Sequence, residues 1–384
     1  MRSPSVVLLL LALGATTPAH AQATGAAGPS ATAPVAADSI APAPPAEPPA
    51  ATTGVPATSA SLTNPAISVI GWFQALAGND STVQDEAFEF REAEIALQAA
   101  VDPFTRADFF IAAGPEGLEV EEGYVTWLAL PGGGQARVGK FRADLGKFNR
   151  THPPETPFAD RPLATVAFLG EEGLSTTGVS LSALVPNPMD LYWDVTANLG
   201  APPDPAGNPL FEASSRADVL ALGRTSLFVP LRESADLNLG VSYASGPALA
   251  SLRADGSRAQ LGAADLTFRW KNPRRSIYRS LLVQVEAIVE QGSRPGAGRY
   301  AGAFGYAVWQ FARQWRIGVR RDWTESPGDR ADATGVLALL TCKPSEFSTL
   351  SLQARRVRAP GGTDRAAAFF KWTFNIGPHG ADPY

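Results

Sequence analysis

One cysteine and three histidines are all the thiol and imidazole groups that the 384 residues offer to metal chemistry. Cys342 alone excludes an intramolecular disulfide framework and a cysteine-based zinc cluster, and reads as a small apolar side chain on a strand. His20 lies in the N-terminal segment, so His152 and His379 remain, and a zinc site would need carboxylates brought to them in space. No metal and no cofactor is therefore expected. After the first residues no run of about eighteen apolar residues occurs, which leaves no candidate for a transmembrane helix. A G-x-S-x-G elbow, a P-loop and a dinucleotide fingerprint are all missing, and the chain does not read as an enzyme. Charge is scarce: Asp, Glu, Lys and Arg make up 18%, against about 25% in soluble proteins, which hints at surface that does not face water. The net charge of −5 argues against a nucleic-acid partner.

The N-terminus, MRSPSVVLLLLALGATTPAHAQA, has Arg2 before an apolar stretch from Val6 to Leu13 and a small-x-small site at Ala19-His20-Ala21. Residues 1–21 read as a secretory signal peptide, too short in its apolar part to span a membrane. From Gln22 to Asn64 the chain is rich in Ala, Pro, Thr, Gly and Ser, as in APAPPAEPPAATTGVPATSA. Such a segment buries too little apolar surface to offset the entropy of ordering it, so residues 22–64 read as a disordered tether.

Residues 65–384 carry a different signal. In LYWDVTANL, Leu191, Trp193, Val195, Ala197 and Leu199 alternate with Tyr192, Asp194, Thr196 and Asn198. A strand shows alternate residues to opposite faces, so one face is apolar and the other polar. The same alternation runs through residues 236–243, 264–271, 283–290, 315–320, 350–355 and 370–376. In DVLALGRTSLF and ADATGVLALLTC both faces are apolar in places, and FEFREAEIALQAAV has helical propensity beneath its alternation. About sixteen strands are predicted, starting near Ile67, Ala87, Thr105, Leu118, Gln135, Leu174, Leu191, Arg216, Ala235, Arg258, Tyr278, Arg299, Gln314, Ala333, Phe347 and Arg365. Their connections alternate between tight turns and mostly longer loops, the asymmetry of an outer-membrane barrel. The predicted fold is thus all-β, a transmembrane antiparallel β-barrel.

A ring of this size is too wide for side chains to fill. The polar rows, with Asp194, Asp265, Arg269, Glu286, Glu290, Arg316, Arg320, Arg355 and Lys371, are expected to line a wet channel. Trp193, Phe268, Trp270, Trp315, Phe370, Trp372 and Phe374 share the parity of the apolar rows and are expected to face lipid. One connection stands apart, Arg142 to Gly173, with Arg142, Asp144, Lys147, Arg150, His152, Glu155, Asp160 and Arg161 among four prolines. Loops of this length without a function are uncommon. Folded inward, this one would narrow the pore.

RVGKFRADLGKFNRTHPPETPFADRP, FLGEEGLSTTGVSLSALVPNP and the closing FFKWTFNIGPHGADPY resemble outer-membrane porins related to the phosphate-selective porin group, proteins often labelled zinc-regulated TonB-dependent outer membrane receptors. The resemblance implies a sixteen-stranded pore in the outer membrane, often a homotrimer, whose inward-folded third loop forms the constriction. Carried onto this sequence, the constriction residues are Arg142, Lys147, Arg150, His152, Glu155, Asp160 and Arg161. Two departures matter. A TonB-dependent receptor needs a plug inside a barrel of about 22 strands, and a Pro/Ala tether is no plug. The expected lumen also mixes signs, which does not support phosphate specificity. The expected function is passive diffusion of small hydrophilic solutes or ions through a barrel in the outer-membrane lipid, with the tether in the periplasm. The alternative is a non-conducting receptor or anchor barrel.

Overall fold

The computed structural model describes residues 65–80, 86–115, 117–204, 207–252, 257–292, 298–325, 332–359, 362 and 364–377. The expected signal peptide and tether lie outside the described residues, as do His379 and Tyr384.

Sixteen strands form a closed ring in which each pairs antiparallel with its sequence neighbours. They are β1 (Ala66–Gly78), β2 (Phe88–Ala100), β3 (Thr105–Gly114), β4 (Gly117–Leu130), β5 (Gly134–Arg142), β6 (Ser175–Leu184), β7 (Tyr192–Ala201) and β8 (Leu220–Arg232). The second half holds β9 (Ala235–Pro247), β10 (Arg258–Lys271), β11 (Ser280–Gln291), β12 (Tyr300–Gln310), β13 (Trp315–Glu325), β14 (Asp332–Ser345), β15 (Ser348–Arg358) and β16 (Asp364–Ile376). The ring shuts where β1 meets β16, from Val69 opposite Ile376 to Gly78 opposite Ala367. Closure leaves no unpaired sheet edge, which a lipid environment would penalise. In β2 the alternation prevails over helical propensity, because both its edges are paired, to β1 and to β3. The largest departure from the predicted starts is β8, which begins at Leu220 rather than Arg216. The Asp218 carboxylate accepts hydrogen bonds from the N–H groups of Ser214 and Ser215 and holds that stretch as a turn.

The question of which face is sheltered has a direct answer. In β7, Trp193 is 38% exposed and Leu199 55%, while Asn198 is 4% exposed. In β9, Val241 is 58% exposed and Ser242 2%. The apolar rows are outside and the polar rows inside, the reverse of a water-soluble barrel. Trp315 and Trp372 also lie on the exposed side.

The interior is not wholly polar. The 143–174 segment contains two short 3₁₀ turns, Phe148–Arg150 and Pro153–Glu155, and one seven-residue helix, α1 (Leu163–Leu169). Phe168 and Leu169 of α1 pack with Leu210 and Phe211, from the connection after β7, against Leu220, Leu222, Leu261 and Ile288 on the inner face. Phe148, Phe158 and Ala164 pack against Phe304, Tyr306, Leu337 and Leu339. The inward Leu220, Leu222, Leu337 and Leu339 explain why β8 and β14 are apolar on both faces: they seat the two clusters.

Candidate functional site

The 143–174 segment is tied to the wall by named side chains. Asn149 gathers its two ends, donating to the carbonyls of Ala143 and Leu174 at 2.8 Å each and accepting from the Leu174 N–H. Gly146 has φ +65°, and a Cβ there would collide with the Glu286 carboxylate. The turn at Gly146 lets the Lys147 and Phe148 N–H groups donate to Glu286 at 2.9 and 3.0 Å. On β13 and β15, Arg320 and Arg355 each hold the Asp160 carboxylate at 2.7 Å. On β16, Lys371 Nζ donates to the carbonyls of Thr156 at 2.8 Å and Phe158 at 2.9 Å.

A further anchorage centres on His152. Its Nδ1 lies 2.7 Å from Glu121 Oε2 and 3.0 Å from Glu94 Oε2, and its Nε2 lies 3.2 Å from Glu122 Oε2. Arg142 adds an ion pair to Glu121 at 3.1 Å, donates its backbone N–H to the Glu122 carboxylate and donates a guanidinium N–H to the Glu172 carbonyl. Burial opposes a charge on His152, yet the surrounding carboxylates hold its pKa well above the ordinary histidine value. Burial, reinforced by Arg142, pulls the Arg161 guanidinium down to about 10.

The seven residues expected at a constriction therefore separate into two groups. Arg142, His152, Asp160 and Arg161 have buried side chains that engage the wall or the segment's own backbone. Lys147, Arg150 and Glu155 border open space. Between the segment and β5–β10 lies a cavity of about 520 Å³ lined by Lys147, Arg150, Arg224 and Arg269, with Asp194 as the one carboxylate. Arg224 is held by Asp265 and Arg269 by Asp236, while the Arg150 side chain pairs with Asp144 and stays 55% exposed. Lys147 Nζ donates to Thr267 Oγ1 at 3.0 Å. Burial, with Arg269 close by, lowers its pKa to about 8. A second cavity, about 160 Å³, lies towards β11–β16 and β1 and is bordered by Glu155, Arg316, Lys343, Glu346 and Lys371.

Of the residues expected to line the lumen, Asp194, Arg269, Arg316 and Lys371 border one of these cavities. Glu286, Arg320, Arg355 and Lys371 grip the 143–174 segment. Asp265 is buried behind Arg224, and Glu290 is fully buried. Sequence reasoning missed Glu94, Glu121, Glu122 and Arg224. Strict alternation sends neighbouring Glu121 and Glu122 to opposite faces. The register instead passes from Phe110–Glu122 to Ile111–Val120, leaving Glu121 as the extra residue of a β-bulge. Both glutamates are consequently sheltered, at 8% and 6% exposure.

No family model matches the chain. An uncharacterized protein of Aquifex aeolicus (strain VF5) is 29% identical over 336 residues, 78% of this chain and 71% of that protein. Among solved structures, a loop-deletion mutant of OmpT, an outer membrane protein of Vibrio cholerae, aligns with TM-score 0.55 at 10% identity, over 82% of this chain and all of that one. The fold is porin-like. An anion-selective porin from Comamonas acidovorans aligns with TM-score 0.54 at 9% identity, over 81% of this chain and 100% of that one. The outer membrane channel DcaP of Acinetobacter baumannii gives 0.52 at 9%, over 82% and 96%. At these identities the likeness concerns the porin-like barrel itself.

Proposed function

We propose that this chain is an outer-membrane porin, a water-filled channel for passive diffusion of small hydrophilic solutes or ions, with 143–174 as an inward-folded constriction loop. The observation that carries the reading is the polar cavity of about 520 Å³ left between that segment and β5–β10 within a closed ring whose outer face is apolar. Four cationic groups and one carboxylate border it, so a modest preference for small anions follows. Three of the cations are backed by aspartates, which keeps the preference modest and argues against a phosphate-specific site. Neither catalysis nor the TonB-dependent mechanism forms part of this reading. A homotrimer embedded in outer-membrane lipid suits the exposed apolar rows.

The test is single-channel conductance of the folded protein in planar bilayers under a salt gradient. Discrete steps with a reversal potential on the anion side are expected. Absence of steps from heat-modifiable, folded protein would overturn the reading. It would favour a non-conducting receptor or anchor barrel. One observation speaks for that alternative: contacts of the 143–174 segment reach β2 and β4 as well as β9 to β16.

A further inference from the structure

The His152 anchorage has the geometry of a metal site as well as of an ion pair. Nδ1 of His152 and Oε2 of Glu121 and Glu94 converge, all three donor atoms lying within 4.8 Å of one another. An imidazole Nδ1 carries at most one proton, and here two carboxylate oxygens stand at 2.7 and 3.0 Å from it. One N–H serves only one of them well. Glu94 Oε2, on a side chain that is almost fully buried, accepts no hydrogen bond among the described residues, and neither does the nearby Glu92 Oε1. Cis ligands at bond lengths of about 2.1 Å stand about 3.0 Å apart in octahedral geometry and about 3.4 Å apart in tetrahedral geometry. The two spacings from Nδ1, 2.7 and 3.0 Å, lie close to the octahedral value.

The ring's other nitrogen is equally suited. Nε2 faces Glu122 Oε2 at 3.2 Å, so an N–H there has an acceptor, and loss of the Nδ1 proton to a metal ion would leave the Nδ1 lone pair directed at the side of Glu94 and Glu121. A carboxylate holding the far nitrogen of a ligating histidine is the usual outer arrangement of a metal site. Charge points the same way. Glu92, Glu94, Glu121, Glu122 and Glu172 gather around the guanidiniums of Arg142 and Arg161. The carboxylates outnumber the guanidiniums beside them, so a divalent ion would reduce the negative excess.

We propose that His152 Nδ1, Glu121 Oε2 and Glu94 Oε2 bind one divalent first-row transition-metal ion, with His152 oriented by Glu122. Binding displaces the Nδ1 proton to solvent, and water completes the coordination sphere. His152 comes from the 143–174 segment, Glu94 from β2 and Glu121 from β4, so the ion joins that segment to two wall strands. A mixed imidazole and carboxylate set favours Co²⁺, Ni²⁺ or Zn²⁺ over Mg²⁺ or Ca²⁺.

The experiment is titration of chelator-treated, folded full-length barrel with Co²⁺, followed by visible absorption and calorimetry. One equivalent per chain is expected, with ligand-field bands and displacement by Zn²⁺ but not by Mg²⁺. Glu94→Gln keeps the shape and the His152–Glu121 contact while removing one ligand charge, and should weaken binding by at least about tenfold. His152→Ala should abolish it. Failure of the folded wild type to bind Co²⁺ or Zn²⁺ at millimolar concentration, or wild-type binding by folded Glu94→Gln, overturns the proposal. These readouts involve no ion flow, so they separate failure of the metal site from failure of the channel reading.

Discussion

The two spaces beside the 143–174 segment differ in size and in charge. Toward β5–β10 the cavity is about 520 Å³ with four cations to one carboxylate; toward β11–β16 and β1 it is about 160 Å³ with three cations to two. The difference lies in what the cations do. On the narrow side, Lys371 gives its donors to backbone carbonyls of the segment and rests over the Trp72 ring at 4.4 Å. Nearby, Arg320 and Arg355 close on Asp160. These charges hold the structure together. On the wide side, Lys147 and Arg150 border the open volume from the segment, placed to meet a solute in the proposed channel. Similar residue types thus serve as fasteners on one wall and as a lining on the other.

The largest expected way to break this contrast is Asp160→Ala. It leaves two buried guanidiniums short of a shared partner, and breaking a buried pair costs about 3–5 kcal/mol. The segment should come away from β13 and β15, seen as faster amide exchange over residues 153–162 and higher, noisier conductance. Phe168→Ala should cost about 3 kcal/mol by opening a cavity between α1 and the wall, read as a lower urea midpoint. Gly146→Ala comes next, at about 1–2 kcal/mol for the left-handed backbone. It also pushes against Glu286 and should loosen the N-terminal end of the segment.

Charge reversal at the lining sharpens the comparison. Lys147→Glu combined with Arg150→Glu turns the wide lining into two cations and three carboxylates. The reversal potential should change sign, whereas Arg316→Ala on the narrow side should barely move it. The smallest effect is pH. Lys147 is cationic below its pKa of about 8 and neutral above it. Anion preference should therefore be full near pH 7 and decline as pH rises through 8, and Lys147→Ala should remove that dependence. Reversal potentials measured from pH 6.5 to 9.5 decide it.

Much of the fold was legible because strand alternation is local. Trp193, Val195 and Leu199 stand on one face of β7 and Asn198 on the other whatever the rest of the chain does. The number of strands and the sorting of turns followed from the same pattern. The site was legible only in part. The unusual 142–173 connection drew attention to Lys147, Arg150, His152 and Asp160, but which of them face space depends on partners more than a hundred residues away, such as Glu286 for Lys147 and Arg320 for Asp160. Leu337 and Leu339 looked like an irregular strand, and their inward side chains make sense only with Phe148 and Phe158 packed on them.

By itself, the sequence determined the barrel: period-two patterning assigns each residue a face, and sixteen such patterns with alternating connections close into a ring. Tertiary structure alone decided the site. A single bulged residue, Glu121, reverses the face of everything beyond it, and backbone pairing rather than residue type sets where the bulge falls. The meeting of His152 with Glu94 and Glu121 then depends on how a loop and two strands pack, which no local pattern encodes.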